Sequence, residues 1–281
     1  MRRDARAARR AAPALLPPAY ADTAALPHPT PPHPADREGV GRALKRWFDA
    51  GKLRREDVFV TSKIPGGLTA ADATAALERC LEQLGLDFVD LMLVHFPASW
   101  EGVGGAALRK EQWLAMEDFA KKGGACALGV SHYCPRHLDD VLSVATVPVA
   151  LNQAQYHVGM GAADDDATDG IAYDRLMGVV YQSFSPLCGP CGTDELISGE
   201  LVTSIGAKHG KSGAQVSLRW QIQQGIPVIP KSDKEAHLKA NLDLFDWTLS
   251  PVEMHMLTVA TSPPVSGTNS TPPTSGDCDV A

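Results

Sequence analysis

Six short apolar runs in this chain each end on a side chain that can carry charge, hold a proton or stack. VFVTSK ends on Lys63, VDLMLVH on His95, CALGVSH on Ser131 and His132, VALNQ on Gln153, VVYQSFS on Phe184 and Ser185, and IPVIPKS on Lys231 and Ser232. The stretch from Val89 to Val94 is nearly unbroken in its apolar character, the pattern of a strand buried on both faces. Its abrupt end on His95 is what a barrel strand looks like when it feeds a site at its carboxyl end. Taken singly, a strand-end lysine is ordinarily solvated and a lone histidine is ordinarily a satisfied polar tip. Repetition at the same end of six runs points instead to one shared site.

The segments between these runs must position them, and they read as helices. In GVGRALKRWFDAGK, Val40, Leu44 and Trp47 fall at helical spacing and Gly51 stands where a C-cap belongs. Thr69 and Asp72 make a capping-box-like start to a helix whose Leu77, Leu81 and Leu84 share a face, with Gly85 after it. Leu108 to Lys122 places Trp113, Met116 and Ala120 together and stops at Gly123-Gly124. Further helices are predicted over 135–142, 172–177, 194–209, 212–224, 234–243 and 251–258. Strands that alternate with crossovers of this length predict a parallel sheet with right-handed connections. With the fragment at Tyr20 the strands number seven, one short of a closed eight-stranded barrel. The predicted fold class is therefore α/β, a (β/α)8 TIM barrel incomplete at its N-terminal strand.

A chain of 281 residues with 44% apolar residues can bury the core of one such barrel without a second domain. The formal net charge of −7 speaks against nucleic-acid binding, and no apolar run approaches the roughly 18 residues of a membrane span. Six cysteines without a signal-peptide pattern predict reduced thiols in a cytoplasmic, monomeric protein rather than a disulfide framework. Residues 1–35 open on MRRDARAARR and continue through a proline-rich stretch, so they are expected to be a disordered or aberrant segment. The basic start has some of the character of an organelle transit sequence, but it lacks serine and carries Asp4. The barrel is expected over 36–260, and the Ser/Thr/Pro/Gly-rich stretch 261–281 as a disordered tail.

The ordered motifs TSK at 61–63, DLMLVHFP at 90–97, ALGVSHY at 127–133, NQAQYH at 152–157, SFSPL at 183–187 and IPKS at 229–232 resemble those of the aldo-keto reductases. That resemblance spans about 36–258 and implies an NADPH-dependent (β/α)8 enzyme that reduces small aldehydes or ketones to alcohols. It implies three catalytic positions. Lys63 resembles the lysine that lowers a catalytic tyrosine's pKa, His95 the histidine that orients the substrate carbonyl, and Asp22 the aspartate that pairs with the lysine. The physics agrees, because a phenol with an ordinary pKa near 10 protonates an alkoxide poorly unless a neighbouring ammonium favours its phenolate.

The same resemblance implies the cofactor positions. Ser131 and Gln153 match the pair that bonds the nicotinamide carboxamide, with His132 where Asn is usual. Phe184 matches the ring that stacks on the nicotinamide, within the SFSPL motif that also brings Ser185 and Leu187. Lys231, Ser232 and Asn241 match the clamp on the adenosine 2′-phosphate that favours NADP, with His237 replacing a bidentate arginine. No metal is implied.

Two departures matter. The tyrosine expected five positions after Asp22 is Pro27, so the general acid is missing. The alternatives are a slow reductase and a non-catalytic NADP(H)-binding barrel that serves as a sensor or partner-binding subunit. In the slow reductase, His95 with its ordinary pKa near 6.5, or His28 or His33, would substitute as proton donor. The second departure is Cys188-Gly-Pro-Cys191, a C-x-x-C that elsewhere lowers a thiol pKa at a helix start. Here it is either two loop cysteines or a regulatory disulfide beside the cofactor. Phe96 and Trp100 suggest an apolar pocket wall, and no code in the loop 98–107 names the substrate.

Overall fold

In a computed structural model of the chain, which describes residues 20–22, 36–163 and 169–263, six parallel strands follow one another across a single sheet in chain order. They are β1 (Tyr20–Asp22), β2 (Phe59–Pro65), β3 (Val89–His95), β4 (Ala125–Ser131), β5 (Val149–Gln155) and β6 (Val180–Phe184). Helices α1 (Arg37–Asp49), α2 (Ala70–Leu84), α3 (Ala106–Lys121), α4 (Pro135–Leu142) and α5 (Asp169–Leu176) alternate with them. After β6 come α6 (Glu195–Ser198), α7 (Glu200–His209), α8 (Gly213–Gln223), α9 (Glu235–Leu242) and α10 (Pro251–Thr258). None of the described helices is long and apolar enough to cross a membrane. The predicted terminal segments, with Pro27, His28 and His33, lie outside the described residues apart from β1 and the stretch 261–263.

The predicted seventh strand is reduced to one parallel bridge between Val228 and Ser183. Its two hydrogen bonds are Ser183 N to Pro227 O (2.8 Å) and Ile229 N to Ser183 O (3.1 Å). Pro227 and Pro230 flank that rung and have no N–H to extend the ladder.

Local chemistry explains the helix ends. Thr69 Oγ1 accepts from Asp72 N at the start of α2, and Gly85 closes it at φ +62°. Ala50 caps α1 and Gly51 follows at φ +63°. The buried face of α1 is Gly41 and Leu44, with Val40 and Phe48 packed against the core, so Trp47 is displaced from the face predicted for it. Trp47 is exposed and lies under the Lys52 ammonium at 5.1 Å. The helix predicted over 194–209 breaks at Gly199, whose ψ of 155° is extended and where a Cβ would strike the Glu195 carbonyl.

The main core lies between the sheet and α1 to α4, with Leu77, Met92, Trp113, Met116, Leu128 and Leu138 all fully buried. A second core gathers Tyr156, Ile171, Val216 and Trp220 around the later helices, where Tyr156 and Trp220 stack at 5.1 Å. Leu91, Leu93 and Leu151 form a small cluster on the sheet's other face. Period-two alternation therefore sends Met92 and Val94 to the helices and Leu91, Leu93 and His95 to the opposite side. Asp90 interrupts the apolar run of β3, and its carboxylate accepts from Arg55 Nη2 (2.7 Å) and Val60 N (2.8 Å), so the charge is paired where it is buried.

Candidate active site

Strand register alone aligns the site. His95 is level with Ser131, Ser131 with Gln153, and Gln153 with Gln182, one row across four strands near their carboxyl ends. Such a row requires close approach of the strands at Gly129, where a Cβ would strike the Leu151 carbonyl and come within 2.7 Å of Leu93 Cδ2. The register shifts between Leu128 and Gly129, which lets Ser131 meet Gln153.

Lys63 enters this row from β2. It is 8% exposed, and its ammonium donates to Gln153 Oε1. Gln153 Nε2 in turn donates to Gln182 Oε1 at 2.7 Å, and Ser131 Oγ donates to the Gln153 carbonyl at 2.8 Å. From behind, Arg37 on α1 fixes the backbone of Lys63 with a 2.6 Å bond to its carbonyl and holds Gln83 Oε1 at 3.0 Å. Sequence reasoning missed Gln182 and Arg37. The signal for Gln182 was its place two residues before Phe184 in an alternating strand; Arg37 gave none. β1 ends level with Thr61, so the backbone of Asp22 stands one strand over and two residues short of Lys63.

Aromatic rings cluster beside the row. Phe96 is buried, with Trp100 edge-on at 4.9 Å, His95 at 3.8 Å and His132 at 5.4 Å. His132 also lies 4.6 Å from Phe184 and 5.8 Å from His95. It sits in the left-handed region at φ 59°, and its N–H donates to the Gln153 carbonyl at 2.9 Å. Phe96 and Trp100 thus pack against one another, and the histidine at 132 joins the same aromatic cluster.

Electrostatics here corrects one expectation. Burial, then the Lys63 ammonium, then His132 hold the His95 pKa well below its ordinary 6.5. Burial and Lys63 push His132 down to about 3. Both imidazoles are therefore neutral near pH 7, and His95 is no imidazolium acid titrating at 6.5. The physical reason is its position: a fixed cation and an apolar wall both disfavour a second positive charge.

Lys231 and Ser232, expected at the phosphate end of the nucleotide, lie just before α9. Lys231 is exposed and has no carboxylate partner among the described residues, while Ser232 Oγ accepts from Lys234 N at 3.1 Å. No side chain caps α9 at Lys234, so its first N–H groups stay available to an anion. His237 is exposed and Asn241 half-buried on that same helix. Ser185, at φ 48°, accepts the Cys188 N–H at 2.8 Å, and Leu187 is half-buried beside it.

Of the two alternatives open for Cys188 and Cys191, the structure has them paired as a disulfide, while Cys80 and Cys126 are thiols. A short 3-10 turn (Gly189–Cys191) entered from a left-handed Cys188 brings their Cα atoms to 5.3 Å.

This arrangement has close counterparts. The model of the Aldo/keto reductase family matches residues 20–260. A glyoxal reductase of Bacillus subtilis is 36% identical over 220 residues, covering 78% of this chain and 72% of that protein. Aldo-keto reductase family 1 member A1 of Rattus norvegicus is 35% identical over 239 residues, covering 78% and 72%. Among solved structures, a Bombyx mori aldo-keto reductase in complex with NADP superposes with a TM-score of 0.70 at 27% identity, over 79% of this chain and 74% of that one. An aldose reductase from Schistosoma japonicum gives 0.70 at 25%, over 80% and 76%.

Proposed function

The chain belongs to the aldo/keto reductase family, and from that premise we propose that it reduces aldehydes or ketones with NADPH through Lys63 and His95, slowly for want of a phenolic acid. As a member of that family it is an NADP-dependent oxidoreductase acting on small carbonyl compounds. The observation that carries the assignment to these residues is the row His95–Ser131–Gln153–Gln182 with the Lys63 ammonium bonded into it.

The residues present fit the dinucleotide. At the phosphate end, the Lys231 ammonium, without a carboxylate partner among the described residues, and an uncapped helix start offer charge and N–H donors to a 2′-phosphate, the feature that separates NADP from NAD. At the nicotinamide end, Ser131 Oγ and Gln153 Oε1 each spend only part of their capacity on the bonds described, so both can still accept from a carboxamide NH2. Phe184, half-buried, offers a ring for stacking. When bound, the nicotinamide supplies the hydride.

What the protein adds is orientation and charge. The neutral imidazole of His95 can donate one N–H to a substrate carbonyl oxygen, and the fixed Lys63 ammonium stabilises negative charge that develops there. Neither provides a phenol's proton, and position 27 holds proline, so the proton that completes the alcohol comes from water. General-acid help is commonly worth about 10² to 10⁴ in rate, and turnover should fall by that order relative to a family member with the tyrosine. Pro27 also favours a second reading, in which the barrel binds NADP(H) as a sensor or subunit and catalyses nothing.

Steady-state reduction of an aromatic aldehyde under saturating NADPH tests both. The expected result is slow turnover, abolished in Lys63→Met and His95→Ala. Binding of NADPH without any turnover, in a folded wild-type protein, would establish the non-catalytic reading.

A further inference from the structure

Three soft or borderline ligands meet beside the turn that follows β6. The sulfurs of Cys188 and Cys191 and a ring nitrogen of His157 all lie within 4.8 Å of one another, and the Cys191 Sγ to His157 Nε2 distance is 3.9 Å. Cys188 and His157 are buried, while Cys191 is half-buried and leaves a way in from solvent. The other ring nitrogen of His157, Nδ1, is 2.7 Å from the Val158 carbonyl. A carbonyl can only accept, so Nδ1 carries the proton and the Nε2 lone pair faces the sulfurs. A backbone carbonyl that fixes the tautomer in this way is the usual outer partner of a metal-binding histidine. Gln155 Nε2, 3.8 Å from Cys188 Sγ, adds a donor aimed at one sulfur.

We propose that, with the disulfide reduced, Cys188, Cys191 and His157 form a binding site for a zinc-type divalent cation, with a solvent molecule as fourth ligand. The donor set is two thiolates and one imidazole, and C-x-x-C is a common zinc-chelating spacing. Tetrahedral bonds of ordinary length set sulfur and nitrogen about 3.5 Å apart and the two sulfurs about 3.8 Å apart. The observed sulfur-to-nitrogen distance is already close to the first value, and opening the disulfide frees the sulfurs to reach the second. The steps balance as follows. An external dithiol gives two electrons and two protons to the Cys188–Cys191 bond and is itself oxidised to a disulfide. The cation then displaces both thiol protons to solvent and forms two bonds to sulfur and one to nitrogen. An external disulfide that takes up the two electrons, with two protons from solvent, and is itself reduced to a dithiol, re-forms the Cys188–Cys191 bond and releases the cation, so disulfide and metal are alternative clamps on one turn. Each ties that turn down immediately after Ser185 and Leu187. The sequence could not show the site, because His157 is 31 positions from Cys188 and only the neighbouring strands β5 and β6 bring them together.

Cobalt(II), a coloured stand-in for zinc, tests this on the full chain reduced with a phosphine and stripped of metal. One equivalent should produce a thiolate-to-cobalt charge-transfer band and the intense visible bands of a tetrahedral site, both removed by Zn2+. Oxidised protein should show neither, and the Cys188→Ser/Cys191→Ser variant should lose both. A single Cys191→Ser should weaken cobalt binding by more than the roughly 10- to 100-fold that loss of an outer partner costs. Because His157 is buried and a substitution there would disturb the core, its part is read on the unaltered protein by X-ray absorption of the zinc-loaded form. Two sulfur and at least one imidazole scatterer are expected. No charge-transfer band in the reduced protein, the same band in the double variant, or a zinc shell without imidazole would each overturn the proposal.

Discussion

Replacing His132 by Asn should tighten NADPH binding. The His132 ring lies 4.6 Å from Phe184 and 5.4 Å from Phe96, so it leans on the ring proposed to stack on the nicotinamide. Aromatic contacts of this kind are worth about 0.5–1.5 kcal/mol beyond burial, and a nicotinamide that takes the Phe184 face must displace one. At about 1.4 kcal/mol per factor of ten, removing the contact in advance predicts a dissociation constant lower by about 2- to 12-fold. The backbone permits the change, because φ at 132 is 59° and Asn tolerates the left-handed region better than other non-glycine residues. Its N–H can keep the bond to the Gln153 carbonyl. The assay is a fluorescence titration of NADPH beside thermal melts of wild type, His132→Asn and His132→Ala. Tightening in both variants, with a lower melting point only in Ala, is the expected pattern. Affinity unchanged or weaker in both would refute the idea that His132 competes for the Phe184 face, and tightening in Asn alone would assign the gain to the new amide.

Three further outcomes follow from the same geometry. Lys231→Ala should weaken NADPH roughly tenfold and leave NADH unchanged, the size of a partly solvated charge-assisted bond; equal losses for both nucleotides would place the 2′-phosphate elsewhere. Residual reductase activity should show no rise centred near pH 6.5 as pH falls, because His95 is held neutral well below that value, and a rise that disappears in His95→Gln would show that it does donate a proton. Glu117 tests stability. Burial alone would raise its pKa, but bonds from the Thr146 hydroxyl, the Val147 and Thr146 N–H groups and Lys121 outweigh burial and hold it at about 2 against an ordinary 4.5. A depressed carboxyl stabilises the fold fully above about pH 4.5 and loses that contribution as pH falls towards 2, a difference of about 3 kcal/mol. Glu253, also held at about 2, adds an acid loss of its own, so urea melts should show a smaller acid loss in Glu117→Gln than in wild type; an equal loss in both would place the responsible group elsewhere.

Much of the site was legible because parallel strands have one direction. Once Lys63, His95, Ser131, Gln153 and Phe184 are recognised as the ends of buried runs, a parallel sheet must present them along one edge. Helix limits such as Pro135–Leu142 and Pro251–Thr258 were equally local, set by caps and prolines within a few residues of the ends they control. The seventh strand was not, because Pro227 and Pro230 leave an apolar run able to make only one rung. Trp47 shows the limit of spacing, since 40, 44 and 47 and 40, 44 and 48 are both helical faces and only the packed neighbours choose between them.

The sequence by itself determined the order of elements, the strand ends that bear chemistry, and the absence of tyrosine at position 27. The tertiary structure decided what depends on distance between segments far apart in the chain. Lys63 meets Gln153, 90 positions away, and that fixed cation together with burial keeps His95 from being an acid. Cys191 likewise meets His157 across 34 positions. A residue's type states which proton or metal it could hold, but the energy of holding it is set by the charges and solvent around it, and those are supplied only when the strands are side by side.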